Sequence, residues 1–165
     1  MGTKQQGRIF CLQKTKKLII NSYASVHANE GTFTRPSKPK DTLRLQSGGH
    51  GQDNIRIMEK CKVSYSIKYE YENGVRVGDI PNHKDKNKRV NHSWFPQNWT
   101  ESTIVQAGNY VSTLKRNQNL SDGATGYGTY KGVRVGIIYT NGKIGTVFPD
   151  SNQSSISKLI KEKKK

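Results

Sequence analysis

Residues 62–71 (KVSYSIKYEY) alternate in hydropathy, with Val63, Tyr65, Ile67, Tyr69 and Tyr71 on one side, which predicts a β-strand. Asn73-Gly74 follows and Val75–Ile80 resumes the alternation, so the pair reads as a β-hairpin closed by a type I′ turn. A second hairpin of the same design spans Val133–Thr140, Asn141-Gly142 and Lys143–Phe148. The pentapeptide GVRVG occurs in both, at 74–78 and 132–136, as strands with the same in-out order and not as a solenoid repeat. Between the hairpins the period changes. Ile104, Ala107, Gly108, Val111 and Leu114 form one stripe of a helix over Trp99–Leu114, with Thr100 as N-cap, Glu101 in the first turn and Trp99 with Ile104 as a hydrophobic staple. Asp53–Lys60 predicts a short helix capped by Asp53, with Ile55 and Met58 inward. Gln13–Tyr23 reads as a short helix or strand, and Arg116–Gly128, rich in Asn, Ser, Asp and Gly, as a loop. The fold expected is α+β: a twisted antiparallel sheet built from β-hairpins with one or two packed helices.

Charge divides the chain further. The 165 residues carry a net charge of +16, which points to a polyanionic partner. Residues 1–40 hold eight Lys/Arg against one acid, and 151–165 hold five Lys against one, whereas 41–150 hold fifteen bases and ten acids. The excess thus lies in the ends, where accessory binding or solubility is the expected role. GTFTRPSKPK, residues 31–40, reads as a linker, which divides the chain into a basic N-terminal segment (1–40), a domain (41–150) and a basic tail (151–165). Cys11 and Cys61 have no metal-like spacing and do not indicate a disulfide framework. No run reaches transmembrane length, and residues 1–20 lack the apolar core of a secretory signal.

The candidate chemistry lies in four histidines. His50 stands in SGGHGQDN (47–54), where Gly49 and Gly51 are expected to leave backbone room for a phosphate beside the imidazole, and Asp53 or Asn54 to start a helix. His83 lies among Lys84, Lys86, Lys88 and Arg89, cations that disfavour its protonated form until a phosphate arrives. His92 precedes an aromatic cluster and reads as structural or peripheral, and His27 lies in the N-terminal region. Two imidazoles and a cation suit RNA cleavage: one takes the proton of the ribose 2′-hydroxyl, the other protonates the departing 5′-oxygen, and the cation steadies the charged phosphorus. No metal is required, and no CxxC, HExxH, GxSxG or Walker-type motif is present. The plainer reading of 80–89 is a solvated basic loop that touches phosphate. Tyr65, Tyr69, Tyr71, Trp94 and Trp99 are aromatics for base stacking or for packing.

Three stretches taken in order resemble the bacterial EndoU nuclease family: Gly48-Gly49-His50 to Asn54, Phe95-Pro96-Gln97-Asn98-Trp99 entering a helix, and Ile144–Pro149 as the closing strand. The resemblance covers residues 41–150. It implies the barnase-EndoU-colicin-RelE type of fold, related to RNase A, and a metal-independent endoribonuclease toxin without cofactor that leaves a 2′,3′-cyclic phosphate. It also implies a monomer acting on RNA (tRNA among the candidates) with a cognate immunity protein, secreted or delivered to work in a target-cell cytoplasm without a membrane partner. His50 matches the family's glycine-flanked histidine and Thr146 its hydroxyl residue. Phe148 stands where tyrosine is common, able to stack a base but lacking the phenol. The family's upstream histidine has no counterpart at the usual distance, and His27 stands too far upstream. His83 is therefore expected to partner His50, with Lys88 in place of the family lysine (Lys84 or Arg89 being alternatives) and Lys84, Lys86 and Arg89 binding substrate.

The rival is a non-catalytic nucleic-acid-binding module that uses the basic ends and the 80–89 loop. Salt-sensitive binding without a cyclic-phosphate product would mark it. A domain that kept the fold but lost catalysis is the third reading, sustained by Phe148 and the missing upstream histidine.

Overall fold

The computed structural model describes residues 23–34, 38, 42–154, 156 and 158–160; the element expected over Gln13–Tyr23 lies outside them except for its last residue. Among the described residues the helices are α1 (Tyr23–Asn29), α2 (Gln52–Lys60) and α3 (Glu101–Thr113). The strands are β1 (Thr32–Phe33), β2 (Leu45–Ser47), β3 (Ser66–Tyr71), β4 (Arg76–Asp79), β5 (His92–Trp94), β6 (Thr125–Tyr130), β7 (Val133–Thr140), β8 (Lys143–Pro149) and β9 (Lys158–Ile160). They form three antiparallel sheets, ordered β1-β2, β5-β4-β3-β9 and β6-β7-β8. The α+β class is as expected, but each predicted hairpin nucleates its own sheet instead of sharing one.

Local chemistry explains most of the elements. The Asn141-Gly142 turn is the expected type I′, with φ of 53° and 73° at its two central residues. The first hairpin differs. Gly74 N–H donates to Tyr71 O, Gly74 has φ of 90° and Tyr71 N–H donates to Val75 O, which makes a three-residue loop with a glycine bulge. Thr100 caps α3 by accepting from Thr103 N–H, and Ile104, Ala107, Gly108 and Val111 are its buried stripe. That face packs with Trp99 and with Val133, Val135, Ile137 and Val147 of the three-stranded sheet. Burying Ile104 or Val111 contributes on the order of 2 kcal/mol each. A second core joins Phe33, Leu45, Ile55, Met58, Ile80 and Trp94 around α2.

Several expectations are corrected. The cap of α2 is the backbone of Gly51; Asp53 lies in the first turn and accepts instead from Asn29 Nδ2 and Arg56. The expected 116–128 loop contains the start of β6. Residues upstream of 41 belong to the fold: α1 packs on β8 and α3, and β1, inside the expected linker, pairs with β2. Beyond 150, β9 extends the β3 edge. Cys61 is disulfide-bonded, contrary to the absence of a framework expected from two cysteines.

Candidate active site

The two larger sheets meet where β5 and β8 run side by side, and Ser93 Oγ donates to Pro149 O across the join at 2.7 Å. A cleft of about 370 Å³ opens along this seam. His27, His50, His83, Lys88, Thr146 and Phe148 all line it, with His92 at its base. It therefore gathers residues that are far apart in sequence from α1, the glycine-rich loop, the 80s loop and β8.

The glycine-rich loop is shaped by the end of α1. A helix leaves its last carbonyls without intrahelical partners. Here Gly49 N–H donates to His27 O at 2.9 Å, His50 N–H to Ala28 O at 2.6 Å, and Gly51 N–H to Asn29 O at 3.0 Å. Three consecutive amides thus satisfy three consecutive carbonyls and fix His27 next to His50. The room beside the glycines is filled by protein. A Cβ on Gly51 would run into Asn29 Oδ1, and one on Gly49 (φ 77°) into Asn54 Nδ2. Asn54 is buried, donates to Glu30 O at 2.9 Å and accepts from Trp94 Nε1 at 3.0 Å. The glycines serve close approach to α1 and Asn54, which corrects the expectation that they make space for a phosphate.

His50 is held on two sides. Its Nδ1 lies 2.8 Å from Ser93 O. A carbonyl only accepts, so Nδ1 carries the proton and the neutral ring keeps its lone pair on Nε2. The ring stacks on His92 at 4.7 Å with planes 3° apart, and Phe148 tilts against it at 5.9 Å. Burial, then the neighbouring His92, hold the His50 pKa well below 6.5, with His27 and Lys88 pushing the same way. His92 is buried, donates from Nε2 to Gly49 O at 2.7 Å and leans on Trp94 at 4.7 Å; burial lowers its pKa to about 4. It is a neutral brace behind His50, in keeping with the structural role expected of it.

His27 and His83 are differently placed. His27 Nδ1 lies 3.1 Å from Thr32 Oγ1, and its ring packs beside Gly48; burial and the Lys88 charge lower its pKa. Distance in sequence had set His27 aside, yet the pairing of the glycine loop with α1 delivers it to the cleft. His83 is 1% exposed. Its Nδ1 accepts from Asp85 N–H at 3.0 Å, and its carbonyl takes Arg89 Nε and Arg44 Nη2. Those bonds build the loop whose single 3₁₀ turn, Lys86–Lys88, presents Lys88; Asp85 caps that turn through Asn87 N–H. Burial, and after it Lys88, lower the His83 pKa. Lys84 and Lys86 are exposed and Arg89 is partly buried, and none of the three lines the cleft.

The opposite wall is one face of the β6-β7-β8 sheet. Thr146 pairs with Ile138, and Phe148 with Gly136, so Thr146 and Phe148 share that face as their spacing requires. Thr146 Oγ1 is buried and without a hydrogen-bond partner among the described residues. Tyr127, which the sequence did not single out, pairs with Gly136 from the other side and also lines the cleft. Among the described residues no three His, Cys, Asp or Glu side chains cluster as a metal site would need, and no helix is long and apolar enough to cross a membrane.

Arranged this way, the cleft offers an imidazole with a free Nε2, a second imidazole beside it, an ammonium and an unclaimed hydroxyl. Such a set can move protons to and from a bound phosphodiester. Neither a search of curated proteins nor one of solved structures returned a match. The family model of the bacterial EndoU nuclease matches residues 5–151, a span that takes in α1 and the whole cleft. The chain belongs to the bacterial EndoU nuclease family, and its substrate is a nucleic acid.

Proposed function

We propose that the protein is a metal-independent endoribonuclease in which His50 and His27 exchange protons across the scissile phosphate. The observation that carries this reading is the convergence of both rings, Lys88 and Thr146 on one cleft, with His50 Nδ1–H fixed on Ser93 O. His50, the more strongly depressed of the two, is neutral at pH 7 and acts as general base through Nε2. It removes the proton of the ribose 2′-hydroxyl, whose oxygen attacks phosphorus. The bond from phosphorus to the 5′-oxygen breaks, and His27, protonated once the phosphate charge offsets its burial and Lys88, delivers a proton to that oxygen. The products are a 2′,3′-cyclic phosphate and a 5′-hydroxyl. Lys88 balances the phosphorane charge and Thr146 Oγ donates to a non-bridging oxygen. His83, first expected as the partner of His50, is assigned here to holding the Lys88 loop, because its Nδ1 is occupied and its ring is buried.

The nuclease family and the net charge of +16 support a nucleic-acid substrate, and the proposed mechanism requires that it be RNA, which carries the 2′-hydroxyl. The family suggests a nuclease toxin; delivery to a target-cell cytoplasm, with an immunity protein that keeps the producer safe, belongs to the same proposal. Purified protein incubated with RNA in excess chelator is expected to yield cyclic-phosphate ends, and a 2′-deoxy substitution at the cut site is expected to abolish cleavage. His50→Ala and His27→Ala should each slow cleavage by about 10²- to 10⁴-fold. Intact RNA, or an undiminished rate in His50→Ala, would refute the mechanism. Salt-sensitive binding with no product would favour the non-catalytic module. Full activity in His27→Ala with loss in His83→Ala would return the pairing to His83.

A further inference from the structure

Phe148 presents the cleft with a ring but no polar atom, and a stacked ring alone accepts every base. Discrimination needs a hydrogen-bonding group beside the ring, within reach of the base edge. Gly136 lies between Phe148 on β8 and Tyr127 on β6, paired with both. A Cβ there would collide with the Phe148 ring, so the glycine lets that ring lie across β7 toward β6. Phe148 and Tyr127 consequently meet at 6.2 Å with planes 84° apart, a right-angled corner that opens on the cleft.

Tyr127 is held firmly in this corner. Arg134, on the same face of β7, stacks its guanidinium 4.3 Å from the Tyr127 ring centre and is itself fixed by Asp150 at 2.8 Å. Arg116 and Asn117 bind the main-chain oxygen of Tyr127, not its hydroxyl. These bonds anchor the strand and do not engage the phenol. The geometry points to Tyr127 as a specificity-determining residue: a base of single-stranded RNA stacks on Phe148 and the Tyr127 hydroxyl hydrogen-bonds its edge. The pre-set ring makes that bond at little entropic cost. This inference rests on the ribonuclease reading above.

The test uses the full chain and four oligonucleotides that each contain one ribonucleotide, A, C, G or U, in a deoxy strand. Tyr127→Phe keeps the ring, the Arg134 stack and the main-chain bonds, so its Tm should equal that of the parent. Its KM should rise about fivefold on the preferred base with kcat little changed, and its preference among the four bases should flatten. Unchanged KM and preference in Tyr127→Phe, with the parent cutting, would overturn the inference and leave the nuclease reading intact. If the parent cuts none, the nuclease reading fails instead, and binding of an all-deoxy oligonucleotide decides Tyr127. Weaker binding by Tyr127→Phe would keep its contact with a base, and equal binding would remove it.

Discussion

Acidification should destabilise this protein through the imidazole behind the site. His92 is buried with a pKa near 4 in the folded chain, against about 6.5 when unfolded. The folded state thus binds fewer protons than the unfolded state between those values, and stability falls as pH drops through that window. Above pH 6.5 the contribution is intact, and below 4 this group removes nothing more. The gap corresponds to about 3 kcal/mol, a large part of the 5–15 kcal/mol typical of a domain. The loss has an electrostatic cause: a charged His92 would sit desolvated between the His50 and Trp94 rings, with His83 and Lys88 also disfavouring its charge. His27 and His83 shift in the same direction and steepen the acid slope of the whole protein. His92→Gln isolates the one group, since its amide nitrogen can still donate to Gly49 O while carrying no titrating proton. That variant should be less stable at pH 7 for want of the stacked ring, yet lose about 3 kcal/mol less than the parent between pH 7 and pH 4. Urea unfolding at unit pH steps, read from the buried Trp94 and Trp99, measures both curves. Parallel curves for parent and variant, or an NMR titration of His92 centred near 6.5, would refute the reasoning.

Two further outcomes follow from buried polar atoms. Asn54→Ala removes the partners of Glu30 O and of Trp94 Nε1–H, both buried, and should cost about 2–5 kcal/mol in thermal unfolding; a loss below about 1 kcal/mol would show that the glycine loop stands without it. Thr146→Val keeps the volume and removes an Oγ that has no partner among the described residues, so stability should hold or rise slightly while cleavage slows about tenfold. Activity unchanged in that variant would remove Thr146 from the mechanism.

Features set by neighbours in sequence were legible: both hairpins (though not the turn of the first), the α3 stripe with its Thr100 cap, and the shared face of Thr146 and Phe148. Elements whose inward positions are mostly glycine or polar were not. β6 (TGYGTY) turns Gly126 and Gly128 toward the core, where a Cβ would strike Asn117 and Leu120, or Leu114 and Val111. Its buried side is therefore invisible to a hydropathy pattern. Likewise α1 buries Ser25 and Asn29 beside Val26 and Ala28, polar positions that a periodicity count discards.

The same physics hid half of the site. SGGHG advertised His50, because glycines crowded around one imidazole need a reason, but the reason lay in another segment. Those residues replace the hydrogen-bond partners that α1 lacks at its C-terminus, and the side chains of Asn29 and Asn54 occupy the space a Cβ would take. A loop built to close on a helix end brings with it whatever residue that end carries, and here the end carries His27. Separation along the chain is a poor guide to catalytic partners when main-chain bonds set the approach. The better guide in a sequence of this kind is the glycine pattern itself, which marks the place where another segment must come close.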